Sequence, residues 1–136
     1  IDRLQNKLIQ LRDTPKKLVE EGKPKYFDIK EQGRNITLSS NNIYWLSAAG
    51  NYVEFHMQDK IFLYRSSISA LEYELQAVGF IRIHRSLLVN KRHIERINYL
   101  HSNNQYTFLL KNGDSLLSAR SYKERIIQFM DGESVL

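Results

Sequence analysis

The 136-residue sequence contains no cysteine. This absence excludes disulfides, cysteine-based zinc sites and a cysteine nucleophile, and it fits a reducing compartment. The sequence also lacks the apolar run of about 18 residues that a membrane-spanning helix needs, and it does not open on a signal-peptide pattern. We therefore expect a cytoplasmic protein with no membrane-spanning helix in this stretch.

Patterns that carry catalysis or bind metals are also missing. The sequence has four isolated histidines, with no His-x-x-x-His pair: His56, His84, His93 and His101. Around Gly50 only a single glycine occurs, so no glycine-rich phosphate loop is present, and no serine lies in a nucleophile-elbow context. The sequence therefore predicts a non-enzymatic domain without a metal or other cofactor.

Acidic residues are outnumbered by basic ones. The sequence has 20 Lys and Arg against 15 Asp and Glu, a formal net charge of +5. The excess is densest between residues 82 and 96, where the only acid is Glu95. Such a patch is compatible with a nucleic-acid partner but does not identify one.

The first 24 residues have a different pattern from the rest. Apolar residues recur there with heptad spacing, at Ile1, Leu4, Leu8 and Leu11. This spacing predicts an amphipathic helix, which could be a linker helix docked on a neighbouring domain or a dimerising stalk. Pro24 indicates a boundary. Because the sequence starts with Ile1 and not Met, we expect it to be part of a longer protein whose upstream domain the sequence does not identify.

From residue 25 onward the pattern is that of β-structure. Eight or more short runs rich in β-branched and aromatic residues alternate with turn residues. The small residues at 48–51 are interpreted as a break between two strands, and Asn112-Gly113 as a hairpin turn. The sequence thus predicts a mainly β domain over residues 25–132.

Two helices are predicted within this domain. Apolar spacing places one from residue 68 to 79, with Ser66 or Ser67 as its N-cap. A capping-box pattern places the second from about 121 to 130. Residues 133–136 are expected to be a frayed tail.

The stretch 80–90 is rich in Arg and His and contains no acid. In a strand, one face would carry Arg82, His84 and Ser86, and the other Ile81, Ile83 and Arg85. The same residues could instead form a loop that presents Arg85, with its ends anchored by Phe80, Leu87 and Val89. Either arrangement predicts a segment that faces an anion.

Polar residues at three element ends could read DNA bases: Asn51, Arg85 and Arg120. Arginine pairs bidentately with guanine, and asparagine with adenine. Each also has an ordinary interpretation. Asn51 follows Gly50 and could be a simple turn residue, Arg120 could be solvated, and Arg85 could pair with an acid such as Glu95.

Several blocks of the sequence, taken in order, resemble the LytTR domain of bacterial transcription regulators. They are residues 43–53, 65–68, 80–90, 112–113 and 119–122, and the resemblance extends over about 26–130. The most specific block is Arg82-x-His84-Arg85-Ser86-x-x-Val89-Asn90.

This resemblance implies a LytTR-like fold of three short antiparallel sheets with small helices, to which the N-terminal linker helix is added. Loops at the sheet edges would enter successive major grooves of double-stranded DNA. The family is usually the output domain of a bacterial two-component response regulator and acts as a pair on direct repeats. The resemblance therefore implies paired binding or a homodimer, joined to an upstream domain of the same chain.

The resemblance also assigns roles to residues. The base-contacting positions fall on Asn51, Arg85 and Arg120. Phosphate contacts are expected at Tyr52, Ser86, Ser121 and Lys123. A role in bracing the loop or in contacting the DNA backbone is expected for Arg82 and His84.

One position departs from the family pattern. A serine commonly precedes the C-terminal arginine, but Ala119 stands there and Ser118 lies one residue earlier. The setting of Arg120 is therefore open. The alternative function is a β-rich protein-interaction or dimerisation module that does not bind DNA.

Overall fold

The computed structural model describes residues 23–134, so the predicted linker helix lies outside the described residues. The described part contains ten strands: β1 (Tyr26–Glu31), β2 (Arg34–Ser39), β3 (Trp45–Ala49), β4 (Tyr52–His56), β5 (Ile61–Arg65), β6 (Phe80–His84), β7 (Leu87–Asn90), β8 (Ile94–Leu100), β9 (Gln105–Leu110) and β10 (Ser115–Leu117). Its two α-helices are α1 (Ile68–Leu75) and α2 (Lys123–Ser134). Neither helix is long and apolar enough to cross a bilayer.

The strands form three antiparallel sheets. β1 and β2 make a hairpin, and β8, β9 and β10 make a three-stranded sheet with β9 in the middle. The largest sheet has five strands in the order β5-β4-β3-β7-β6. The mainly β fold of short antiparallel sheets with small helices is therefore confirmed.

The five-stranded sheet separates two hydrophobic clusters. Successive strand residues face opposite sides, so Leu88 enters one cluster and Val89 the other, and both are fully buried. On the first side, the four-residue spacing of Leu71 and Leu75 gives α1 an apolar face that packs against the sheet. On the second side, the three-stranded sheet and α2 cover β6 and β7. Each fully buried apolar side chain contributes about 1.5–3 kcal/mol.

The break predicted at residues 48–51 is only partly a break. Ala48 and Ala49 belong to β3 and pair with Val53 and Tyr52 of β4. The chain reverses over two residues at Gly50, whose φ of 64° lies in the left-handed region. Because alanine fills any strand position without a clash, small residues alone do not mark a turn.

The predicted cap at Ser67 is confirmed, whereas the other helix ends differ from the prediction. Ser67 is the N-cap of α1, since its Oγ accepts a hydrogen bond of 3.1 Å from the Ala70 N–H. The α-helix gives way to a 3-10 turn after Leu75. The C-terminal helix starts with a 3-10 turn, Arg120–Tyr122, and continues to Ser134. It thus includes the first two residues of the expected tail, and residues 135–136 lie outside the described part.

The two ends of the five-stranded sheet have different roles. One end carries the β3–β4 and β6–β7 turns. At the other end, the Asn90 side-chain amide donates to the carbonyls of Ser40 (3.2 Å) and Ile43 (2.8 Å). Ser40 in turn exchanges hydrogen bonds with the backbone of Lys25. The N-terminal end of the described chain is therefore fixed at the end of the sheet opposite the two turns.

Candidate nucleic-acid interface

Two of the three predicted base-reading residues lie on neighbouring turns. β3 runs antiparallel to both β4 and β7, so the end of β3 lies beside the start of β4 and the start of β7. The Ala48 N–H donates to the Ser86 carbonyl over 2.9 Å, which fixes the β3–β4 turn beside the β6–β7 turn. The fold therefore brings Asn51 and Arg85 together at one end of the sheet.

The third residue is held beside the β6–β7 turn by a backbone hydrogen bond. The Ala119 N–H donates to the Ile83 carbonyl over 3.0 Å, at the end of β6. Arg120 follows directly and opens the 3-10 turn Arg120–Tyr122. We call these three segments, residues 50–51, 85–86 and 120–122, the turn edge. Asn51, Arg85 and Arg120 are all exposed on it.

These three side chains are not bonded to any other residue that the structure describes. Within residues 23–134, Asn51, Arg85 and Arg120 make no side-chain hydrogen bond or ion pair. In particular, no ion pair joins Arg85 to Glu95 in this part of the chain. The polar groups that base reading requires are thus available at the turn edge.

Arg82 supports the turn from inside. It is only 9% exposed, and its Nε donates to the His84 carbonyl over 2.9 Å. Its Nη2 donates to the Arg85 carbonyl, and its Nη1 forms an ion pair of 2.7 Å with Glu72 on α1. The guanidinium therefore uses three of its five N–H donors within the protein and fixes the backbone at His84 and Arg85.

His84 and Ser86 also fix the turn. The Ser86 N–H donates to His84 Nδ1 over 3.1 Å, and the Ser86 hydroxyl lies 3.0 Å from the same nitrogen. His84 Nδ1 therefore accepts the backbone N–H that follows Arg85, which fixes the turn on this side. The half-buried Ser86 hydroxyl is thus held at the surface of the turn.

Lys123 is the predicted phosphate contact that has the most partners. Its Nζ donates to the Tyr99 hydroxyl over 3.0 Å and to Asn104 Oδ1 over 3.3 Å. The hydrogen bond that Lys123 donates to the Tyr99 hydroxyl is the main cause that raises the pKa of Lys123, so the ammonium stays charged. The β8–β9 hairpin therefore positions Lys123 at the start of α2, next to the exposed Ser121.

Ser118 does not replace the serine that the family pattern expects at 119. It is almost fully buried, and its Oγ accepts the Tyr106 N–H over 2.9 Å. Ala119 occupies the N-cap of the 3-10 turn without a side-chain hydrogen bond. The backbone bond to Ile83, not a cap, therefore positions Arg120.

Arg65 is a turn-edge neighbour to which the sequence assigned no role. It pairs with Tyr52 across β4 and β5, and its guanidinium lies 5.7 Å from the centre of the Tyr52 ring. Tyr52 is 41% exposed. Arg65 ends β5 shortly before Ser67, the capping serine of α1. Its position at the end of a strand could have marked it in the sequence as a candidate binding residue, as it did for Asn51 and Arg85.

Two other histidines lie away from the turn edge. At the start of β3, Trp45 stacks on His56 at 3.6 Å and donates to Asp114 over 2.9 Å. Burial lowers the pKa of His56, although Glu54 and Asp114 oppose this effect. Burial also lowers the pKa of His93, which is bonded to a backbone carbonyl. In the described part of the chain no three metal-ligating side chains form a cluster.

This chain is similar to a family of DNA-binding domains and to a sensory transduction protein. The model of the LytTr DNA-binding domain matches residues 33–131. The sensory transduction protein LytT of Enterococcus faecalis is 26% identical over 109 residues, which are 79% of this chain and 45% of that protein. The chain therefore spans less than half the length of this relative.

A solved structure has the same fold. It is a LytTr DNA-binding domain from Bacillus cereus, with a TM-score of 0.69 and 23% identity. The match covers 77% of this chain and 95% of that domain.

Proposed function

The chain belongs to the LytTR family of DNA-binding domains, and from this premise we propose that it binds double-stranded DNA sequence-specifically as the output domain of a bacterial transcription regulator. The turn edge is the proposed binding surface. The observation that carries the proposal is that three separate turns bring together, at one end of the sheet, Asn and Arg side chains that bond to no other residue within 23–134.

Base reading is assigned to Asn51, Arg85 and Arg120. Loops on a rigid sheet can enter the major groove, where arginine can bond both acceptors of guanine and asparagine can bond adenine. The rigid support of Arg82 below the β6–β7 turn favours this role, because a fixed turn loses little entropy when it docks.

Phosphate contacts are assigned to Tyr52, Ser86, Ser121 and Lys123. These residues flank the proposed base readers along the turn edge, and each offers a hydroxyl or an ammonium group. Contacts of this kind orient a protein on the duplex and supply affinity that falls with salt, but they carry no sequence information.

The domain is proposed to act in pairs on direct repeats, with turns in successive major grooves. Similarity to a sensory transduction protein supports a place in a two-component response regulator with an upstream input domain. Pairing, the upstream domain and a cytoplasmic location stay predictions.

The test compares a base contact with a phosphate contact. A cognate duplex is first selected from random DNA. Replacing Arg85 with Ala should cost about 1–3 kcal/mol on that duplex and relax the preference at one base position. Replacing Lys123 with Ala should weaken cognate and scrambled DNA alike and reduce the salt slope by about one.

Fluorescence anisotropy titrations of both variants on both duplexes decide between the roles. Equal losses on cognate and scrambled DNA for Arg85→Ala would remove base reading from Arg85. If the unmodified domain binds no duplex at moderate salt, the interaction-module alternative is favoured instead.

A further inference from the structure

A small cleft lies beside the β3–β4 turn and is not used by the roles assigned so far. It has a volume of about 350 Å³ and is open to solvent. Its lining residues are Gly50, Asn51, Arg65, Ser66 and Ser67. The cleft thus joins a proposed base reader to the end of β5.

The hydroxyl groups of the cleft are already used in local bonds. Ser66 Oγ donates to the Ser67 carbonyl over 3.1 Å, and Ser67 Oγ accepts the Ala70 N–H. Arg65 is the lining residue that carries a formal charge. It forms no ion pair with a carboxylate in residues 23–134, so its charge is not neutralised there.

Tyr52 positions this charge toward the turn edge. It is the residue opposite Arg65 on β4, and its ring lies below the guanidinium at 5.7 Å. A cation over an aromatic face is attracted to the ring, which restricts the arginine to one side of the sheet. The same tyrosine follows Asn51 directly, so DNA that reaches Asn51 must pass close to Arg65.

We propose that Arg65 contacts the DNA backbone and holds a phosphate in the cleft between the β3–β4 turn and the start of α1. This proposal rests on the proposed function of the turn edge and adds a cation to it. The planar guanidinium offers several donors to phosphate oxygens, and Tyr52 limits its motion before DNA binds. The contact positions Asn51 in the groove but does not read sequence.

The effect on affinity follows from counterion release. One neutralised phosphate changes the salt slope by about 0.9, which at about 0.1 M monovalent salt corresponds to roughly eight-fold in affinity. Replacing Arg65 with Ala should therefore weaken cognate and scrambled duplexes about eight-fold and reduce the slope by about one. Arg65→Lys keeps the charge and should retain the slope.

A matched control removes one exposed arginine from β2 of the two-stranded sheet, near the end of the five-stranded sheet opposite the turn edge. Arg34 lies opposite Glu31 in the β1–β2 hairpin. The Glu31 carboxylate accepts a hydrogen bond from Lys60 in the β4–β5 turn, which lies at the end of β4 far from Tyr52. Arg34→Ala changes the net charge as Arg65→Ala does, but it should leave the salt slope unchanged. Because Arg65 is exposed, Arg65→Ala should unfold at the same temperature as the unmodified domain.

The experiment titrates the unmodified chain, Arg65→Ala, Arg65→Lys and Arg34→Ala with both duplexes from about 0.05 to 0.3 M KCl. An unchanged slope for Arg65→Ala, on a protein that still binds DNA and still loses base preference with Arg85→Ala, overturns this proposal alone. A slope that falls equally for Arg34→Ala also overturns it, because the effect would then be net charge. If the unmodified chain binds neither duplex, the proposed function fails and this contact fails with it.

Discussion

Removal of the Arg82 side chain should destabilise the domain far more than removal of Arg125, although both arginines bond the same carboxylate. Arg82 and Arg125 contact the two oxygens of Glu72 at 2.7 and 3.1 Å. Their side chains are 9% and 56% exposed, respectively. The two arginines therefore share one carboxylate but differ in burial and in the number of bonds that they make.

The magnitude for Arg82→Ala follows from the groups left behind. The substitution leaves two turn carbonyls and one oxygen of Glu72 without their donor. Breaking a buried pair costs about 3–5 kcal/mol, but Glu72 is 28% exposed and keeps Arg125, so we expect about 2–4 kcal/mol. Arg125→Ala removes an exposed contact and should cost less than about 1 kcal/mol.

Urea unfolding followed by fluorescence of the single tryptophan, Trp45, measures both variants. The reasoning is refuted if the two losses are equal, or if Arg82→Ala costs less than about 1 kcal/mol. Arg82→Lys adds a test of function, because one ammonium group cannot reach both turn carbonyls and Glu72. If Arg82 braces the turn, this variant loses DNA affinity at an unchanged salt slope, whereas loss of a direct backbone contact would change the slope.

Two further predictions concern the N-cap of the 3-10 turn that precedes α2 and the half-buried histidines His56 and His93. Ala119→Ser should add the missing N-cap bond and stabilise the domain by about 0.5–1 kcal/mol in thermal unfolding, whereas Ala70→Ser, in the exposed face of α1, should destabilise it slightly. Failure of the two substitutions to differ in sign would contradict the capping argument. Since burial lowers the pKa of His56 and His93, the unfolded chain binds more protons below about pH 6.5, and stability should fall as the pH is lowered from 7 to 5. His56→Gln and His93→Gln should each reduce this dependence in urea unfolding, and an unchanged dependence in both would exclude these histidines as its source.

Local patterns in the sequence were sufficient for most elements of the fold. The bounds of β8, β9 and β10 follow from bulky runs between clear turn residues, and the Ser67 cap follows from its place before an apolar period. The alternation predicted for residues 80–90 was less informative. A register shift between Arg82 and His84 puts both Arg82 and Ile83 in the interior, and strict alternation excludes this. An irregularity of that kind depends on partners in α1 and the neighbouring strand, so a local pattern does not contain it.

In the candidate site, too, local patterns identified the residues but did not predict how they come together. Asn51, Arg85 and Arg120 could be selected because each lies where an element ends. Their closeness depends on β3 lying between β4 and β7, and on the bond from Ala119 to Ile83, which are contacts between distant parts of the chain. The ion pair of Arg82 with Glu72 was likewise invisible, because the two residues come from a strand and a helix that meet only in the folded domain.

The position of Lys25 has a consequence for how such a domain can be controlled. Lys25 is fixed at the end of the sheet opposite the turn edge, so the described chain begins on the side away from the proposed DNA-binding surface. If the proposed pairing holds, the number of copies held together would control occupancy of the DNA. Two copies joined upstream would make the second binding event intramolecular, at an effective concentration in the millimolar range for short linkers. Weak individual sites would then be occupied only when both lie within reach of one assembly.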